Sequence, residues 1–252
     1  MPYNEGLHKE NDIVFAFDGR KVSQLGLKEK YAMREIFGPL EDEESVRCEL
    51  IDGFNKADMY ITYKGMRKNI SIKTGRASTI HQEDVYGFIK FLEDLGISQD
   101  SRDTFLLLFW RDGTLDGSNP KIKKNLMDLL NEYGEKIKNF NLELNSDKNI
   151  VKKVIHRILF GGTDNQPISA EYIYLPEIEN GLIVSENQIF HHVDRRDWEY
   201  IDNPHIGPLQ FRPHLLSAKE EGKEKYLKRV DFWWANFHSD MQFIFRYYKR
   251  RF

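Results

Sequence analysis

The sequence predicts an α/β, or α+β, fold: a mixed central sheet flanked by helices, with a β-rich C-terminal portion. Three observations carry that expectation. The first half reads in the order helix, strand, strand, helix, strand. Phe105 to Trp110 is a continuous apolar run, the pattern of a strand buried on both faces. Beyond residue 162 short strand-like segments separated by turn residues predominate. The same shift divides the chain into a core over 1–162, with an N-terminal extension, and a β-rich region over 163–252 packed on it.

In order, Asp12 to Phe17 reads as a short strand and Gly26 to Phe37 as a helix ended by Gly38-Pro39. Val46 to Leu50 leads into two strand-like segments, Lys56 to Tyr63 and Asn69 to Gly75, joined through Lys64 to Lys68. A helix is predicted from Glu83 to Leu95, stopped by Gly96. The apolar strand comes next, then helices over Pro120–Asn139 and Asp147–Phe160 before Gly161-Gly162. Strands are predicted over 170–175, 182–184, 189–193, 209–212, 230–237 and 242–248, with a turn at Asn203-Pro204.

Composition excludes several classes. Cys48 is the only cysteine, so there is no internal disulfide and no CxxC zinc pattern, which implies a reducing compartment. No apolar run approaches the ~20 residues of a membrane span, and the first residues lack a signal peptide's pattern. A cytoplasmic protein without membrane contact is expected. Phosphate-binding GxxxxGK[ST], dinucleotide-binding GxGxxG, HExxH and GxSxG are all absent. His191-His192 on a strand would point to opposite faces and so would not share one ion.

With 37 basic and 40 acidic residues the net charge is -3, so any nucleic-acid footprint must be local. Lys223 to Phe252 supplies one: eight basic residues, Lys223, Lys225, Lys228, Arg229, Arg246, Lys249, Arg250 and Arg251, against three acidic ones. Tyr226, Trp233, Trp234 and other aromatics interleave, as stacking and phosphate contact require.

The chemistry lies in the two paired segments. Strand alternation puts Asp58, Tyr60 and Thr62 on one side and Met59, Ile61 and Tyr63 on the other. One hairpin register brings Asp58, Ser71 and Lys73 onto a common face, with Ile70 and Ile72 opposite. A carboxylate beside an ammonium on adjacent strands is the minimum equipment for metal-assisted phosphodiester hydrolysis.

This arrangement, over roughly residues 27 to 110, resembles the PD-(D/E)xK nuclease superfamily of restriction endonucleases and repair nucleases. There an Asp on one strand and an acidic-x-Lys tripeptide on the next form the site. The departures are Ala57 where the family has Pro and Ser71 in the acidic position of Ser71-Ile72-Lys73. One branch of the family carries Ser here and takes its second acid from the following helix. The resemblance thus implies a restriction-endonuclease-like core and a Mg²⁺-dependent endodeoxyribonuclease, with Mn²⁺ as possible substitute, acting on double-stranded DNA as a homodimer. It implies metal binding by Asp58 and Glu83, with Asp84 beside the latter, and a first-helix acid, Glu35, with Glu49 as a further option. Lys73 would activate water, Ser71 would bond water or phosphate, and His81 would contact the scissile phosphate. Lys56 and the Gly75-Arg76 pair would touch the DNA backbone. A nuclease-like domain that binds nucleic acid without cutting it, and a structural protein with merely solvated charges, are the rival readings.

Overall fold

Lys64 and Gly65 have φ of 49° and 77°, both in the left-handed region. Two such residues in succession make the short hairpin turn whose twist matches the flanking strands. The computed structural model, which describes residues 5–53, 55–74, 79–119, 124–163, 165–178, 181–198, 203–213 and 228–249, therefore joins its central strands through these two residues alone. Met66 to Lys68, expected in the link, belong to the second strand.

The elements are α1 (Glu5–Phe17), α2 (Leu27–Phe37), β1 (Val46–Leu50), β2 (Met59–Tyr63), β3 (Met66–Ile72), β4 (Thr79–Asp84), α3 (Val85–Asp94), α4 (Gln99–Trp110), α5 (Leu126–Ser146) and α6 (Lys148–Ile155). A π-helical turn at His156–Gly161 follows, then β5 (Tyr172–Leu175), β6 (Leu182–Ser185), α7 (Glu186–Asp194), β7 (Leu209–Pro213), β8 (Arg229–Trp234) and α8 (Phe237–Lys249). They fall into two compact units, one from residues 1–77, 156–192 and 236–252, the other from 78–155 and 193–235.

The first unit holds a five-stranded mixed sheet in the order β1-β2-β3-β5-β6. Its first three strands are antiparallel, β5 runs parallel to β3, and β6 returns antiparallel. The alternation legible in the sequence holds: Met59, Ile61 and Tyr63 are buried while Tyr60 and Thr62 are half-buried. Ile70, Ile72, Tyr174 and Ile183 join them in a core that also takes Phe17 of α1 and Met33 and Ile36 of α2.

The second unit holds a three-stranded antiparallel sheet, β4-β8-β7. Its core is aromatic, with Phe88 4.7 Å from Phe232 and Phe105 stacked 4.2 Å from Phe211, centroid to centroid. The mixed α/β class is as expected, but several elements differ. Phe105 to Trp110 is part of helix α4, not a strand: Thr104 to Phe109 are all buried, and a helix apolar on every side is a core helix. Ser98 caps it, accepting from the Ser101 amide.

Asp12 to Phe17, expected as a strand, forms the last turns of α1. The segments 189–193 and 242–248 are helical, in α7 and α8, where Ile189 and Val193 and, four and seven residues apart, Phe237, Met241 and Ile244 are buried. The helix expected from Pro120 starts at Leu126, because Asn125 and Asp128 form a reciprocal capping box; Pro120 itself lies outside the described residues. No described helix is long and apolar enough to cross a membrane.

Candidate active site in the first unit

Asp58 sits just before β2, and the ladder continues through it, its amide donating to the Ile70 carbonyl at 2.9 Å and its own carbonyl accepting from Ile51. Met59 pairs with Ile70, so Asp58 comes opposite Ser71. The Ser71 hydroxyl donates to Asp58 Oδ2 at 3.0 Å, and the Ile72 amide donates to the same oxygen at 2.6 Å. Both bonds fall on Oδ2. Oδ1 takes none among the described residues, which leaves one carboxylate oxygen oriented but uncommitted.

Ser71 is completely buried, so its hydroxyl positions Asp58 and does not meet water or phosphate as expected. Lys73 leaves β3 with its amide bonded to the Tyr174 carbonyl at 2.9 Å. Its side chain is half-buried and makes no ion pair among the described residues. Lys56, two residues before Asp58, is buried with its ammonium on the Ile158 carbonyl inside the π-helical turn, and serves the fold rather than a DNA backbone. Gly75 and Arg76 lie outside the described residues, as do Lys223, Lys225, Tyr226, Arg250 and Arg251.

The first-helix acid near Asp58 is Glu10, not Glu35. Burial, and then the negative charge of Asp58, push the Glu10 carboxyl above its ordinary range, while Lys73 pulls it down. Glu10 therefore lies within electrostatic reach of both. It stands three, four and seven residues before Ile13, Val14 and Phe17, on the stripe that α1 buries. Glu35 is exposed on α2 beside Tyr31, whose hydroxyl it helps push up after burial has done most. Glu49 is exposed and accepts from the Tyr60 hydroxyl.

His81 and Glu83 belong to the second unit. Glu83 does not open a helix: it is buried in β4, paired with Val230, and the cap of α3 is Asp84, which accepts from the Tyr86 and Gly87 amides at 3.0 Å each. His81 lies on the same strand rather than in a loop, its Nε2 3.5 Å from Glu83 Oε1. His191 and His192 lie on α7, not a strand; His191 packs on the Tyr247 and Tyr248 rings. Among the described residues no three His, Cys, Asp or Glu side chains cluster to hold a metal.

The free Oδ1 of Asp58 and the half-buried Glu10 carboxylate are hard oxygen donors. They fit Mg²⁺, which takes one or two carboxylates and keeps water and phosphate oxygens for its other positions. A divalent cation would offset both the burial and the Asp58 charge that raise Glu10.

No family model matches the sequence, and no curated protein matches it. Among solved structures, a crystal structure of the restriction endonuclease MspI in complex with its cognate DNA is similar to this chain. The TM-score is 0.54 over 90% of this chain and 88% of that one, at 12% sequence identity. The fold is restriction-endonuclease-like. At that identity the likeness establishes the architecture, a mixed sheet flanked by helices.

Proposed function

We propose that this chain is a Mg²⁺-dependent endodeoxyribonuclease, a type II restriction enzyme or related defence nuclease that acts in the cytoplasm and cuts double-stranded DNA as a homodimer. The observation that carries the reading is the Asp58 carboxylate, held through one oxygen by Ser71 and Ile72 and open at the other, on the same strand pair as Lys73. The fold shared with a DNA-cutting enzyme supports it.

Asp58 and Glu10 hold the cation, which when bound supplies Lewis-acid stabilisation of the phosphoryl oxygen. Ser71 and the Ile72 amide fix the Asp58 carboxylate and prevent its rotation. Lys73 orients the attacking water and offsets the negative charge that develops on the phosphoryl oxygens. The water oxygen bonds to phosphorus and gives up a proton to solvent as one phosphoester P–O bond breaks, and the departing oxygen is protonated from solvent. A two-fold dimer matches the two-fold symmetry of a duplex site.

The test is cleavage of methylated and unmethylated plasmid at low salt with Mg²⁺, Mn²⁺ or EDTA, wild type against Lys73→Ala. Metal-dependent fragments from wild type alone are expected. Cutting by both proteins would sink the assignment of Lys73. The specific observation in favour of a second reading, a domain that binds without cutting, is that Ser71 replaces an acid and spends its hydroxyl on Asp58. Tight binding with no cleavage in either metal would favour it.

A further inference from the structure

We infer that the second unit carries a nucleotide-binding cleft, in which Arg111 takes a phosphate and Trp233 takes an unstacked base. The cleft lies between α4, β7, β8 and the Asn203-Pro204 segment, lined by Leu108, Arg111, Asn203, Gln210, Phe211 and Trp233 among others.

Arg111 ends α4 in the left-handed region, φ 59° and ψ 18°, its amide bonded to the Leu107 carbonyl. Glycine is the usual residue at such a helix end, because a Cβ is strained there. An arginine in that conformation implies that its side chain is needed where the backbone points it. The side chain is half-buried, yet its hydrogen bond is a long one, Nε to the Leu108 carbonyl at 3.4 Å. No carboxylate pairs with it among the described residues. Burial, and then the nearby Arg212 guanidinium, lower its pKa. Arg212 has Asp231 Oδ2 at 3.7 Å, whereas Arg111 has no carboxylate partner among the described residues, so an anion from outside would balance it.

The remaining walls narrow the class of anion. Gln210 pairs with Trp233 across β7 and β8, so the two share one face of the sheet. Trp233 is half-buried, with the Arg212 guanidinium 5.1 Å from its ring. A bare phosphate would need neither the aromatic surface nor the amides of Gln210 and Asn203, each of which offers both donor and acceptor. A nucleotide uses all three features: a flat apolar ring, a donor-and-acceptor edge and an anion. Inside a duplex that ring is stacked, so the cleft takes a nucleotide from a single-stranded or unpaired position.

The residues of the cleft belong to the second unit, whereas Asp58 and Lys73 belong to the first. The test runs in EDTA, where nothing is cut, with full-length protein and a labelled single-stranded oligonucleotide carrying 2-aminopurine. Wild type and Asp58→Ala should bind and change the 2-aminopurine emission alike. Arg111→Gly should lose affinity about tenfold or more without a lower thermal midpoint, because glycine is at ease in the left-handed region. Trp233→Leu should abolish the emission change while part of the affinity survives. Excess nucleoside monophosphate that displaces the oligonucleotide would extend the cleft to free nucleotides; failure to displace would restrict it to strands. Arg111→Gly binding within twofold of wild type, its failure to fold, or an unchanged emission in wild type would each overturn the inference.

Discussion

Lys73 and Arg111 are both half-buried cations that form no ion pair among the described residues, yet the chain balances them in opposite ways. Lys73 stands at the end of a regular strand, with Glu10 of its own unit within electrostatic reach, and Glu10 in turn lies within reach of Asp58. Arg111 has a left-handed backbone, no carboxylate paired with it among the described residues and a second guanidinium nearby, itself 3.7 Å from Asp231. The difference separates a charge that works with its own neighbours from one that waits for a ligand. Chemistry needs a fixed constellation, whereas grip needs only an uncompensated charge in a shaped cleft.

The largest effect expected from this contrast is on rate. Lys73→Ala should cut turnover by about 10²–10⁴-fold, measured by plasmid cleavage, while anisotropy in EDTA reports unchanged DNA affinity. A parallel loss of binding would erase the distinction between the two cations. Next comes the floor beneath the acids: Ile70→Ala empties a fully buried position opposite Met59 and should cost about 2–5 kcal/mol in urea denaturation.

Glu10→Gln is subtler and has two signs. Because the folded protein holds the Glu10 carboxyl above its unfolded pKa, the stability that its proton gives is full below the unfolded value and is lost as pH rises through the raised one. The glutamine variant should therefore melt higher than wild type at neutral pH in EDTA, with the gap closing in acid. Its Mg²⁺ affinity should fall about 10- to 100-fold, the range for a group supporting a metal site, read as a smaller rise in melting temperature on adding Mg²⁺. An unchanged response would remove Glu10 from the site.

The smallest effect belongs to His156, whose Nδ1 lies 2.6 Å from Glu186 Oε1 and whose pKa the bond to Glu186 raises. Its contribution is present below the unfolded histidine pKa and lost as pH rises through the folded one. Solvent exposure keeps it weak. His156→Gln should flatten a slight loss of melting temperature between neutral and mildly alkaline pH.

What the sequence allowed to be read depended on period. Alternation from Met59 to Tyr63 fixes a strand and its faces, and with them the pairing of Asp58 with Ser71. Glu10 escaped for the converse reason. Ile13-Val14-Phe15-Ala16-Phe17 is a short apolar run, and such runs do not distinguish strand from helix; only in a helix do positions 10, 13, 14 and 17 share a stripe. The Phe105–Trp110 run misled in the same way, although Ser98 capping a twelve-residue helix was a readable signal. Glu83 moved from helix to strand because Asp84, one residue later, takes the cap. Arg111 left no trace in sequence, since a left-handed backbone under an arginine shows only in the folded chain.

The division into units has a consequence for synthesis. The chain leaves the first unit after residue 77, returns at 156, leaves again after 192 and returns at 236. Parallel pairing of Ile70 with Tyr172 joins strands far apart in sequence, and α8 packs on β6 only after the last crossing. A ribosome thus releases the Asp58 hairpin long before the sheet that completes it, and the first unit closes only once α8 has emerged. A nascent or truncated product ending before α8 has its acids and lysine in place in the sequence and no finished scaffold on which to align them.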